Sequence, residues 1–141
     1  MAANDNGLPL SIVVVGASGD LAQKKILPAF FGLFCRGFLP ESVRFFGFSR
    51  SEMSSEEFRE QVQQHLTCRY EPDDKSCGER MEDFLGRCHY VSGQYDQPSD
   101  FLDLYAAMKS VEGEHGANRM FYMAIPPFVF MDVARSLGDA G

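Results

Sequence analysis

Seven residues, Gly16-Ala17-Ser18-Gly19-Asp20-Leu21-Ala22, have the types and spacing to hold a phosphate. They follow the apolar run Leu10–Val15 and lead into Gln23-Lys24-Lys25-Ile26-Leu27, a helix-like pattern. A β-branched run, a glycine turn and then a helix is the layout of a phosphate-binding corner. Glycine lacks a Cβ, so the chain turns sharply and a pyrophosphate can approach the backbone. The unpaired N–H groups and the dipole of the helix start favour an anion there. The spacing is G-x-x-G-x-x-A rather than G-x-G-x-x-G, and a plain strand-to-helix turn can carry the same string.

Arg50 is the second residue with chemistry to offer. It stands just past a second apolar run, in Gly47-Phe48-Ser49-Arg50-Ser51. In dinucleotide folds this position meets the adenosine ribose. A carboxylate there accepts hydrogen bonds from a free 2′-hydroxyl, whereas a guanidinium forks onto a 2′-phosphate. The position therefore points to NADP over NAD, and an ordinary solvated Arg is the alternative. Tyr122 precedes Ile125-Pro126-Pro127, at the end of a fourth apolar run. It is placed either to lie along a cofactor or to fill the core. A cis bond at Pro126 or Pro127 would suit that corner, and sequence does not decide it. Asp20 compensates the dipole of the helix start. Lys24 and Lys25 are adjacent, so they point about 100° apart and cannot share one task. One is solvated, while the other reaches over the loop towards a phosphate.

The elements that must position these residues alternate. Strands are expected at Leu10–Val15, Val43–Phe48, His89–Ser92 and Arg119–Ile125. Helices are expected from Ser18 to Cys35, broken near Pro28; from a Ser54/Glu57 capping box to Leu66; over Arg80–Leu85; over Ser99–Val111; and after Pro127 until Gly138. Residues 69–79 read as a polar loop, and residues 1–9 as a flexible segment. This alternation calls for an α/β fold, a doubly wound Rossmann-type parallel sheet with right-handed crossovers. The complete fold needs two more strands. Residues 10–141 are therefore expected to be an incomplete coenzyme-binding domain, the N-terminal part of a longer polypeptide.

Composition narrows the function. The chain has 141 residues with 20 acidic and 13 basic side chains, a net charge of −7. That balance argues against nucleic-acid and membrane surfaces, because no basic field draws phosphates. Leu10–Val15 is too short to span a bilayer. Cys35, Cys68, Cys77 and Cys88 form no C-x-x-C pair, so zinc is poorly supported and reduced thiols are expected, although the even count leaves a disulfide open. The first nine residues lack the features of a signal or transit peptide, so the expected location is cytoplasmic.

Four stretches in order resemble one family: Gly16–Ala22 with Lys24-Lys25, Gly47-Phe-Ser-Arg50, Tyr90-Val-Ser-Gly-Gln-Tyr-Asp96, and Asn118–Pro127. The chain is similar to the N-terminal part of glucose-6-phosphate dehydrogenase. The resemblance implies NADP as coenzyme and oxidation of glucose 6-phosphate to a 6-phosphogluconolactone by a parent protein that is a homo-oligomer. It also implies that Gly16 to Gln23 form the coenzyme loop, that Arg50 binds the 2′-phosphate, that Tyr122 lies against the coenzyme, and that Lys25 matches a lysine near the reacting groups. Gln23 departs from the Lys common in the family. The Glu-Lys-Pro segment and the motif with the catalytic His are expected beyond Gly141, so no catalytic residue is assigned to His65, His89 or His115, and the 141 residues alone are expected to be inactive. Two rivals remain. One is a non-catalytic dinucleotide-binding module. The other is a short-chain dehydrogenase, for which Tyr105 and Lys109 have the i, i+4 spacing.

Overall fold

A computed structural model describes residues 8–67 and 75–140. Four parallel strands form one sheet in the order β3-β2-β1-β4. They are β1 (Leu10–Val15), β2 (Arg44–Ser49), β3 (Cys88–Ser92) and β4 (Asn118–Met123). β1 lies at the centre, with Val14 level with Gly47 of β2 and Tyr122 of β4. The crossovers carry α1 (Leu27–Cys35), α2 (Ser55–Gln63), α3 (Lys75–Gly86) and α4 (Pro98–Glu112); α5 (Phe130–Ala140) follows β4. The architecture is the expected α/β doubly wound sheet.

Both faces of the sheet are covered, which is why β1 is apolar almost throughout. Ile12, Val14 and Phe45 pack with Phe30, Phe58 and Phe84 of α1, α2 and α3. Val13, Val15, Phe46 and Phe48 pack on the other face with Phe101 and Leu104 of α4 and Val133 of α5.

Local rules explain several boundaries. Ser54 and Glu57 form the expected capping box, the Ser54 hydroxyl accepting from Glu57 N–H and the Glu57 carboxylate from Ser54 N–H. Pro98 opens α4, where its missing N–H costs nothing. The break expected near Pro28 takes a specific form. Residues Ala22–Ile26 are π-helical, Leu27 N–H bonds to Ala22 C=O, and Pro28 falls in the first turn of α1. The wider π turn lets the chain pass a proline that cannot donate to the carbonyl four residues back.

Three expectations need correction. Residues 75–79 are helical, not loop, because α3 starts at Lys75. Cys77, Met81, Phe84 and Leu85 make one apolar stripe that packs on the core, and this outweighs the polar composition. The rest of that loop, residues 69–74, lies outside the described residues. α5 does not stop at Gly138 but continues to Ala140. A glycine weakens a helix by only about 1 kcal/mol relative to alanine, and Leu137 beside it packs on the core. Cys77 is disulfide-bonded, against the expectation of reduced thiols, whereas Cys35 and Cys88 are free. Cys68 lies outside the described residues, as do residues 1–7 of the expected flexible segment; Pro9 C=O already accepts from Asn118 N–H of β4. No cis peptide bond occurs among the described residues.

Candidate coenzyme site

The site begins where β1 ends. Gly16 has φ +89°, a conformation that L side chains avoid. Its N–H donates to Phe48 C=O at 2.8 Å. A Cβ on Gly16 would lie 2.3 Å from Ala124 O. The turn is thus pinned between the carboxyl ends of β2 and β4, and no other residue fits. Ala17 is fully buried against Gly47, where a Cβ would come within 2.8 Å of the Ala17 methyl. Gly19 N–H closes the turn onto Gly16 C=O at 3.0 Å, and Gln23 N–H then starts the helix on Gly19 C=O. The first N–H groups of that helix have no partner within it, which is the arrangement an anion uses.

Around this turn the remaining sequence-predicted residues divide into two groups. Ser18, Gly19 and Asp20 face outward at the mouth, with Leu21 exposed beside them. Asp20 and Lys24 form an exposed i, i+4 ion pair at 3.7 Å. Lys25 is exposed one position on. Ala22 and Gln23 instead point inward. Gln23 is buried and donates its side-chain N–H to Gln61 of α2 at 2.6 Å. That bond ties the start of the helix to α2. Tyr122 lies one residue before the end of β4 and meets Phe30 of α1 edge-on, ring centroids 6.1 Å apart. It is 40% exposed, so one side of the ring remains open.

Arg50 stands just past β2, with its guanidinium 5.3 Å above the ring of Tyr95. Tyr95 is buried in the loop after β3, and its carbonyl accepts from the Ser136 hydroxyl of α5. Burial pushes the Tyr95 phenol up, against the pull of the Arg50 charge, so the ring under Arg50 is neutral. A cation over an aromatic face is held in place without being neutralised.

A set of hydroxyls missed by sequence reasoning joins β2 and β3 to the glycine turn. Ser49 and Ser51 both donate to Ser18 Oγ, at 2.9 and 3.1 Å. Tyr90 of β3 places its hydroxyl 2.6 Å from Ser49 Oγ and donates to Ser51 C=O at 2.5 Å. Burial raises the Tyr90 phenol above its ordinary range, so it remains a donor. The signal was present, since Ser49 and Tyr90 fall in two of the motifs quoted above. What sequence lacked was the register that brings them together, Gly47 beside Tyr90.

Tyr105 and Lys109, the pair of the short-chain rival, sit elsewhere. Tyr105 lies under Arg119 near the amino end of β4, at the opposite edge of the sheet from Gly16. A polar cleft of about 440 Å³ containing Arg44 and His89 is also at that far edge. Neither can share a ligand with the turn.

The model of one family, described as glucose-6-phosphate dehydrogenase, NAD binding domain, matches residues 13–141. The chain belongs to this family. Glucose-6-phosphate 1-dehydrogenase, chloroplastic, of Spinacia oleracea is 52% identical over 126 residues, covering 89% of this chain and 22% of that protein. A relative from Arabidopsis thaliana named inactive glucose-6-phosphate 1-dehydrogenase 4, chloroplastic, is 42% identical over 130 residues, 92% of this chain and 21% of that protein. A solved structure titled glucose-6-phosphate dehydrogenase in complex with its substrate glucose-6-phosphate superposes with a TM-score of 0.84 at 34% identity, covering 94% of this chain and 28% of that one. The chain thus spans about a fifth of the length of these curated relatives. As a member of a nicotinamide dinucleotide-binding family, it carries the coenzyme-binding part.

Proposed function

We propose that this chain binds NADP and that the protein containing it oxidises glucose 6-phosphate to the 6-phosphogluconolactone. The observation that carries the reading is Gly16, fixed at φ +89° between β2 and β4, with Ser18, Arg50 and Ser51 around the mouth beside it. The turn and the following helix start would hold the pyrophosphate. Arg50 and the Ser18 hydroxyl, whose oxygen accepts from Ser49 and Ser51, would hold the 2′-phosphate as charged and neutral donors. Tyr122, open on one side and braced by Phe30 on the other, would flank the coenzyme. The nicotinamide would supply the hydride acceptor. Lys25 is proposed on the substrate side, and a base on a part of the protein outside these residues would take the alcohol proton.

Titration of the chain with NADP and NAD tests the coenzyme assignment. Arg50→Ala is expected to weaken NADP by about 1.5–3 kcal/mol, the worth of a charged hydrogen bond, and to leave NAD nearly unchanged. Equal losses would remove Arg50 from the 2′-phosphate site. For the reaction, a lactone-forming assay with glucose 6-phosphate on the longer protein is decisive, and the 141 residues alone should be inactive.

One finding favours a second reading, a coenzyme-binding protein without turnover: the Arabidopsis relative named inactive matches over 92% of this chain. The same assay separates the two. The cytoplasmic location also stands as a proposal, beside relatives whose names say chloroplastic; imaging a fluorescent fusion of the protein decides it.

A further inference from the structure

We infer that Tyr90 sets the preference for a 2′-phosphorylated coenzyme, by fastening the Ser49–Ser51 corner to the glycine turn at one spacing. The inference rests on the coenzyme reading above and adds a positioning residue to it.

Tyr90 itself is firmly held. It is 7% exposed, its ring packs tilted against Phe58 of α2 with centroids 5.1 Å apart, and its backbone N–H donates to Ser55 Oγ at 2.9 Å. Gly47 alongside has room for no methyl group, because a Cβ there would come within 2.8 Å of Ala17 and of Phe58 and 3.1 Å of the Tyr90 ring. The phenol therefore reaches the carboxyl edge of the sheet from a fixed base. A phenol has one proton to give. With the Ser49 proton on Ser18, it is shared between Ser51 C=O at 2.5 Å and Ser49 Oγ at 2.6 Å, with Ser49 C=O at 3.3 Å. Both residues flanking Arg50 are thus tied to one buried oxygen.

The tie continues to the turn. The Ser49 and Ser51 protons are spent on Ser18 Oγ, so the Ser18 proton is left to donate outward. The outcome is a donor on the turn and a cation on the β2 corner at a spacing set from below. A phosphate on the 2′-oxygen bridges the two. A free 2′-hydroxyl draws little on Arg50, so it gains little from the spacing. Tyr90 touches neither coenzyme; it acts through Ser49 and Ser51.

The test is titration of the 141-residue chain with NADP and with NAD, for wild type, Tyr90→Phe, Ser49→Ala and Phe58→Leu, with a thermal melt for each. Tyr90→Phe should weaken NADP by about five- to tenfold, the worth of one hydrogen bond, and NAD by under about twofold. Ser49→Ala should move the ratio in the same direction, and it carries the test should Tyr90→Phe not fold. Phe58→Leu loosens the packing of the same ring but keeps every hydroxyl. It should lower the melting temperature and leave the NADP/NAD ratio alone. An unchanged ratio in Tyr90→Phe with normal wild-type binding overturns this inference and spares the coenzyme reading. An equal shift in Phe58→Leu overturns it too, since general loosening would then explain the effect. Wild type that binds neither nucleotide overturns both.

Discussion

Ser11 and Glu112 are 101 residues apart in the chain and 2.7 Å apart in the fold, the Ser11 hydroxyl donating to the Glu112 carboxylate. The contact lies at the amino edge of the sheet, away from the coenzyme turn. Arg119 completes it with two hydrogen bonds to the same carboxylate, at 2.7 and 3.1 Å. Ser11 is the lone polar residue of β1, and this partner explains why it is tolerated there.

That contact makes stability depend on pH. Burial by itself would raise the Glu112 carboxyl, but hydrogen bonds from Arg119 and Ser11, helped by the Arg119 and Arg44 charges, hold it below its ordinary range. A depressed carboxyl binds fewer protons folded than unfolded. Its stabilisation is complete above the ordinary carboxylate range and is lost as pH falls through the lower folded value. Glu112→Gln is expected to cost about 2–3 kcal/mol at neutral pH. Urea unfolding should show that gap narrowing in acid, and a gap of constant size would refute the account.

Gly16 and Gly19 should separate stability from binding. Gly16→Ala combines a disfavoured φ with a Cβ 2.3 Å from Ala124 O, so a loss of about 2–4 kcal/mol is expected. Gly19 has an ordinary φ, and a Cβ there would meet only Gly16 O, at 3.3 Å. Gly19→Ala should melt within a few degrees of wild type yet bind NADP poorly, because the methyl group fills the approach to the turn. Wild-type affinity in Gly19→Ala would show that the nucleotide does not approach there.

The ring beneath Arg50 can be tested separately. Tyr95→Leu keeps an apolar side chain in place but removes the aromatic face. NADP should weaken by about 0.5–1 kcal/mol, the worth of an exposed cation–π contact. A double variant with Arg50→Ala should then show no further loss from Tyr95→Leu. Additive losses would mean that Tyr95 acts independently of Arg50.

The free thiols of Cys35 and Cys88 should differ in reactivity. Burial pushes the Cys88 thiol up to about 12, and its S–H donates to Phe84 C=O. Cys35 is only partly buried. Iodoacetamide at pH 8 should modify Cys35 on the native protein and Cys88 only on unfolding. Mass spectrometry across a urea series reads both, and early labelling of Cys88 would contradict its placement.

Much of this was legible where the signal was local. β1 has the bounds its apolar run suggested, and the capping box lies at the Ser54 and Glu57 expected to form it. Gly16 and Arg50 stood out because each follows a strand directly. Longer-range features were not readable. Tyr90 meets Ser49 and Ser51 through strand register, and Tyr95 reaches Arg50 through the path of a loop. The inward turn of Gln23 depends on where α2 packs. The early start of α3 was a different kind of miss, because the Cys77, Met81, Phe84, Leu85 stripe was present but lay within polar neighbours.

On the proposed coenzyme site, Gly16 would also link ligand binding to assembly of the fold. The bend takes its shape from Phe48 C=O on one side and Ala124 on the other, so it exists only once the three strands have aligned. A nucleotide that grips it therefore has no affinity for loosened or partly unzipped forms of the chain. By mass action, NADP at a hundred times its dissociation constant adds about 2.7 kcal/mol to the native state. A coenzyme bound there would thus double as a staple for the sheet, and cellular supply of NADP would then govern how long the protein survives proteases.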